Sequence, residues 1–161
     1  MKHQTTVERT SDREVVVQRV FNGPAHIVFA AWTKPELMKR WWTPRSMGMT
    51  MLGCEMDVRV GGSYRLEFSH PSFPAPMSFF GTYTEVVPGK RLVWTNDEGD
   101  GGQSITTVTF EALDDRTTRV VVHELHPSKE ALDAHCASGA QDCTPETHQQ
   151  LDELLATLAA G

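Results

Sequence analysis

The chain has 161 residues, of which 39% are hydrophobic and 22% charged, with a formal net charge of −6. That balance is ordinary for a folded globular domain and excludes disordered and fibrous classes. The excess of acid leaves no clustered Lys and Arg for a phosphate backbone or an anionic bilayer, so neither nucleic acid nor membrane is an expected partner.

Residues 1–12 are polar and aperiodic and read as a flexible leader to one domain over 13–160. The run EVVVQRVF, Glu14 to Phe21, is a first strand, stopped by the turn signal Asn22-Gly23-Pro24. Pro24 opens a short helix carrying Ile27, Val28, Ala31 and Trp32, and a second short helix starts after Thr33, with Pro35 near its N-terminus and Leu37, Met38, Trp41 and Trp42 on or near its buried side, and ends at Pro44. From Thr50 the pattern changes to strands. GCEMDVRVGGSYRLEF holds two about a turn at Val60-Gly61-Gly62, and alternation in the second puts Tyr64, Leu66 and Phe68 on one face.

The proline-rich HPSFPAP, His70 to Pro76, is a loop. MSFFGTYTEVV and RLVWTND flank the hairpin turn Pro88-Gly89, and SITTVTFEAL and TTRVVVHEL surround Asp114-Asp115-Arg116. Alternation there groups Val108 with Phe110, and Val120 with Val122 and Glu124. A helical stretch from Pro127-Ser128 to about Ala137 is broken at Ser138-Gly139 and restarts at Thr144-Pro145. The class is α+β: an antiparallel sheet of six to seven strands, two short helices, and a long C-terminal helical segment laid across the curved sheet.

That last segment is the most informative. Leu151, Leu154, Leu155 and Leu158 share one face at helical spacing, and Thr144 and His148 lie on the same stripe. Polar groups on a buried helix face favour a pocket beneath the helix over a filled interior. His148 then has two readings, a ligand-orienting or acid–base group in the pocket, or a rim histidine bonded to a backbone carbonyl. Glu124 is its expected companion from the sheet.

Trp32, Trp41, Trp42, Tyr64, Phe68, Tyr83 and Trp94 either pack as plain core or line a cavity, since such sites are mostly apolar with a few placed polar groups. The candidate ligand-binding set is Trp32, Trp42, Tyr64, Leu66, Phe68, Tyr83, Trp94 and Phe110. It is completed by Glu124, Thr144, His148, Leu151 and Leu155.

No catalytic residue, metal or cofactor is expected. His123 and His126 alternate to opposite strand faces, His135-Cys136 completes no ligand spacing, and no GxSxG sequence occurs. Three cysteines, Cys54, Cys136 and Cys143, are too few and odd for a disulfide framework and point to a reducing, cytoplasmic setting. The N-terminal MKHQTTVERTSDRE has no apolar core of the signal-peptide kind.

The blocks SDREVVVQRVFNGPAHIVFAAWTKPELMKRWWTP, EMDVRVGGSYRLEF, GTYTEVVPGKRLVWT, TTVTFEAL and HPSKEALDAHCASG together resemble the domain found C-terminally in activators of the heat-shock protein 90 ATPase. The resemblance covers roughly residues 11–160 and extends to the stand-alone bacterial relatives of the START-like (SRPBCC) superfamily. It implies a helix-grip fold, a curved antiparallel sheet wrapped about a long C-terminal helix with a hydrophobic cavity between. It also turns Tyr64, Tyr83 and Trp94 inward, and places Thr144 and His148 where many relatives carry Trp and an apolar or aromatic residue.

Three functions follow as expectations. The first is a monomer or homodimer that encloses a small hydrophobic or amphipathic molecule. The second is an interaction module for a chaperone or other protein, acting through the exposed sheet face. The third is an enzyme using His148 and Glu124 as an acid–base pair.

Overall fold

A computed structural model describes residues 5–43, 48–69, 71, 74–96, 104–137 and 144–160; the side chains of Met77, Thr144, Pro145, 134–137 and 159–160 lie outside that description. In chain order the elements are β1 (Thr6–Arg9), β2 (Glu14–Phe21), α1 (Ala25–Thr33), α2 (Pro35–Trp41), β3 (Thr50–Met56), β4 (Ser63–Ser69), β5 (Met77–Val87), β6 (Arg91–Asn96), β7 (Ser104–Ala112), β8 (Thr118–Leu125), α3 (Lys129–Ala137) and α4 (Thr144–Ala160). The strands form one antiparallel sheet in the order β1-β2-β8-β7-β6-β5-β4-β3. Strands β3 to β8 are a plain meander, while β2 sits beside β8 at the other side of the sheet. The stretch carrying α1 and α2 is what bridges that distance.

The sheet has eight strands where the sequence predicts six to seven. The extra one is β1, inside the stretch read as a leader, and all four of its residues are exposed, so burial gives it no alternation to read. Backbone pairing holds it instead, in the register Thr6↔Gln18 to Arg9↔Val15. A partly exposed Arg9–Asp133 ion pair of 2.8 Å ties its end to α3.

Elsewhere the period-two patterns hold. Val15, Val17, Arg19 and Phe21 point inward from β2, Tyr64, Leu66 and Phe68 from β4, and Val120 and Val122 from β8. Trp32 and Trp41 from the two short helices join them with Leu151, Leu154 and Leu155 from α4 in one core.

Two glycines permit the local geometry. Gly61 turns the β3–β4 hairpin at φ +86°, and the hairpin docks on β5 through Gly61 N–H to Tyr83 O and Tyr83 N–H to Gly62 O, each 2.8 Å. Gly81 lies where a Cβ would collide with the Thr95 carbonyl and press on the Tyr64 ring, so β5 and β6 can close only over a glycine.

Candidate functional site

The inner face of the sheet divides into two ends. At the first, α4 meets β2. Arg19, on the inward phase between Val17 and Phe21, donates from Nη2 to Asp152 at 2.6 Å and to Gln149 at 3.1 Å, while the other Asp152 oxygen accepts from the Asn22 N–H at 3.0 Å. Both charged side chains are nearly sealed from water, at 3% and 8% exposure. The Arg19 guanidinium also lies 5.3 Å from the Phe21 ring centroid, and His148 packs edge-on against the same ring at 5.2 Å.

The His148 Nδ1 lies 3.1 Å from Thr5 Oγ1. Burial, and secondarily the Arg19 charge, push its pKa down to about 3, so the ring is neutral at ordinary pH. Leu151 and Leu155 are fully buried, and Leu155 lies against Gly23. On its other side α4 is fastened to α2 by Gln150, which donates to the Trp41 and Thr43 carbonyls at 3.1 and 2.8 Å. Along His148 to Leu155, side chains of helix and sheet meet directly, so the pocket expected beneath α4 is replaced there by an ion pair and its packing.

The expected pairing of His148 with Glu124 does not form. Glu124 Oε1 lies 3.2 Å from His126 Nε2, and the one hydrogen bond His148 makes among the described residues is to Thr5. Register explains it: Glu124 stands opposite Val15, whereas Phe21, on which His148 packs, stands opposite Thr118. Six residues of strand separate the two places, about 20 Å.

At the second end, β3 to β6 face α1 and α2 with aromatic rings. Tyr64, Tyr83 and Trp94 contact one another at centroid distances of 5.6 to 6.2 Å, and Trp94 reaches Trp32 at 6.3 Å. Trp32 in turn packs on Trp41 at 4.8 Å and Phe110 at 6.3 Å. The Tyr64 hydroxyl lies 2.8 Å from both the Thr95 carbonyl and Asn96 Oδ1, and Asn96 Nδ2 donates to Thr106 Oγ1 at 2.9 Å. The Tyr83 hydroxyl has no hydrogen-bond partner among the described residues, and burial holds it neutral, well above the ordinary tyrosine range.

The distinctive feature is openness. Trp94 shares the inward phase with buried Tyr83 and Thr106, its neighbours across the ladders, yet it is only half-buried. Met51, Cys54 and Met56 of β3, Phe79 of β5 and Trp42 after α2 are likewise inward and half-buried. Burial pushes the Cys54 thiol up to about 11, opposed by Lys39 and reinforced by Glu36. It is therefore a protonated, weakly nucleophilic lining group.

Of the predicted site residues, Trp32, Trp42, Tyr64, Tyr83, Trp94 and Phe110 come together at this second end, with Leu66 beside them on β4. Phe68, on the same inward phase, packs on Phe79 at 5.2 Å. His148, Leu151 and Leu155 belong to the closed end, Glu124 to neither, and the Thr144 side chain lies outside the described residues. Sequence reasoning missed Arg19, Asp152, Asn96 and Cys54. Arg19 carries a signal: an arginine in phase with Val15, Val17 and Phe21 must be buried, and a buried cation needs a carboxylate. Among the described residues, no group of three or more His, Cys, Asp or Glu side chains is placed to hold a metal ion.

A curved, unclosed antiparallel sheet with a long C-terminal helix on its inner face is the helix-grip architecture of START-like proteins. Residues 22–156 match the model of the family described as activator of Hsp90 ATPase homolog 1-like protein, and the chain belongs to that family. Among solved structures, a protein from Rhodobacter sphaeroides superposes with a TM-score of 0.87 at 23% identity, over 96% of this chain and 99% of that one. One from Nitrosomonas europaea gives 0.83 at 23%, over 95% and 100%. One from Chromobacterium violaceum gives 0.71 at 28%, over 88% and 96%. No curated protein matches the chain. The family's fold serves ligand binding or protein interaction. Among the described residues, no helix is long and apolar enough to cross a membrane.

Proposed function

We propose that this protein binds a small apolar or amphipathic molecule against the inner face of the sheet at its β3–β6 end, beside α2. The observation that carries the reading is Trp94, a large side chain on the core-facing phase that is only half-buried, on the same inner face as half-buried Met51, Cys54, Met56 and Phe79. Covering such a surface with an apolar guest stabilises the complex at about 25 cal/mol per Å². Tyr83 and the Tyr64–Asn96–Thr106 chain then supply the few polar groups that orient it.

The reading moves the expected site from beneath α4 to the neighbouring end of the same face. A cytoplasmic setting rests on the sparse cysteines. A panel of neutral lipophilic molecules, screened by thermal shift and native mass spectrometry, tests it. Binders should raise the melting temperature and quench tryptophan fluorescence; a panel without a binder contradicts the proposal.

A second reading, a protein-interaction module, draws on the outer face of the same strands. An open depression of about 730 Å³ lies there over Glu55, Arg65, Phe80 and Thr82, with Phe80 42% exposed. Capture of a purified chaperone by the wild type, lost in Phe80→Asp, would favour it over the ligand reading.

A further inference from the structure

Four of the chain's seven methionines, Met47, Met49, Met51 and Met56, fall in the stretch 47–56, with Cys54 among them. Met47 lies outside the described residues; Met49, Met51, Cys54 and Met56 are all half-buried. Strict strand alternation would send Met51 and Cys54 to opposite faces, because their positions differ by an odd number.

The ladder between β3 and β4 does otherwise. Met51 stands opposite Phe68, Cys54 opposite Leu66 and Met56 opposite Tyr64, while a bulge between Met51 and Gly53 takes up one extra residue. Those partners are the inward residues of β4, and Met51, Cys54 and Met56 pack with them against the core. The bulge therefore gathers a thiol and two thioethers on one face of an edge strand. The Cys54 thiol donates to Met56 Sδ at 3.5 Å. Met51 stands two rungs from Cys54, about 7 Å along the strand. A flexible, unbranched methionine side chain spans that gap.

We infer that this face of β3 is a binding site for a soft univalent metal ion, copper(I), held by the Cys54 sulfur together with the Met51 and Met56 thioethers. Ligand type selects the metal. Thiolate and thioether are the donors that favour Cu(I), whereas Mg²⁺ and Ca²⁺ take oxygen ligands and Zn²⁺ takes Cys, His and carboxylate groups. Charge balance points the same way. On binding, the Cys54 thiol gives its proton to solvent and a copper–thiolate bond forms, with the metal unchanged in oxidation state. One thiolate and one univalent cation sum to zero, so the loaded site brings no net charge to a half-buried wall. A divalent ion would leave one positive charge uncompensated by the sulfurs. The site shares a wall with the proposed guest but does not depend on it.

Anaerobic Cu(I), supplied as its acetonitrile complex and followed by native mass spectrometry, tests the inference. The background is Cys136→Ser with Cys143→Ser, which leaves Cys54 as the only thiol. One ion should bind, and the mass should rise by one copper less one proton. With methyl-labelled methionine, the Met51 and Met56 methyl resonances should shift together with Cu(I) and stay in place with Zn²⁺. Met51→Leu and Met56→Leu, which conserve volume, should each weaken binding by about tenfold, the smaller loss that even a supporting group causes at metal sites. Cys54→Ser should weaken it more than either.

Should the serine background not fold, the methyl resonances of the wild type read the same site without any substitution. Undiminished binding by Cys54→Ser, methionine methyls unmoved while copper binds, or no copper bound at all would overturn the site.

Discussion

Beneath α4 the inner face of the sheet is closed by groups that pair with one another, with Arg19 Nε alone lacking a partner among the described residues there: Arg19, Asp152 and Asn22 N–H form one knot, Gln150 clamps α2, and Leu151 and Leu155 fill what is left. A few strands away, beneath α2, the same face presents the half-buried side chains of Met51, Cys54, Met56, Phe79 and Trp94 beside buried Tyr64 and Tyr83. The contrast separates a closed end from a half-buried one on the same inner face. The α4 end fixes the helix to the sheet; the β3–β6 end carries the surface that the proposed guest would cover.

If this division is right, damage at the closed end should cost stability and damage at the open end should not. The largest effect is expected from Asp152→Ala, which leaves a buried guanidinium unpaired and the Asn22 N–H unmet, a loss of about 3–5 kcal/mol in urea unfolding. The apolar double replacement Arg19→Met with Asp152→Leu should recover most of that loss. Failure to recover would mean that the pair does more than fasten α4.

Next comes a matched pair of truncations. Leu151→Ala, in a fully buried position, should cost about 3 kcal/mol, whereas Met56→Ala on the half-open wall should cost about 1 kcal/mol or less. Equal losses would erase the distinction between the ends.

A smaller effect is set by pH. His148 takes up its proton only at about pH 3 in the folded protein, against 6.5 in the unfolded chain. Below pH 6.5 the unfolded state therefore binds more protons, and stability falls as pH falls, at up to about 1.4 kcal/mol per unit. Between pH 6.5 and 5 the wild type should lose about 2 kcal/mol more than His148→Gln. Parallel pH profiles for the two proteins would place His148 in contact with water. The exposed carboxylates Glu14, Asp114 and Asp133, whose pKa values are lowered by hydrogen bonds from Ser11, Arg116 and Lys129 first, act alike in both proteins and cancel in the difference.

The mildest test is chemical. With its pKa moved from 9.0 to about 11, Cys54 should be alkylated by maleimide about tenfold more slowly than an ordinary thiol, the smaller thiolate fraction being partly offset by greater nucleophilicity, and a binder from the lipophilic panel should slow it further. Peptide mass mapping reads both effects.

Much of the architecture was legible because burial writes itself as periodicity. EVVVQRVF, SYRLEF and TTRVVVHEL alternate, and the last helix repeats Leu at helical spacing, so strand phase could be read before any coordinates. β1 was not legible, since an edge strand whose four residues all face water carries no apolar code. The inward direction of Tyr64, Tyr83 and Trp94 was legible because strand phase and the family resemblance both turned them inward.

What phase cannot give is position along the strand. It put Glu124 and His148 on one face but not about 20 Å apart. It gave His148 no neighbour, although Arg19, two residues before Phe21 on the same phase, announced a buried charge needing a carboxylate on the covering helix. Nor does periodicity say where an indole finds its partner, since that depends on carbonyls brought near from other elements, as Ala31 is to Trp41.

The central claim is that the guest sits at the β3–β6 end and not under α4. A chemical-shift map of the wild-type protein saturated with a binder from the lipophilic panel addresses it directly. The account expects the largest shifts at Cys54, Met56, Tyr83 and Trp94, with Val17, His148, Leu151 and Leu155 unmoved. Shifts centred on β2 and α4, with Trp94 silent, would contradict it.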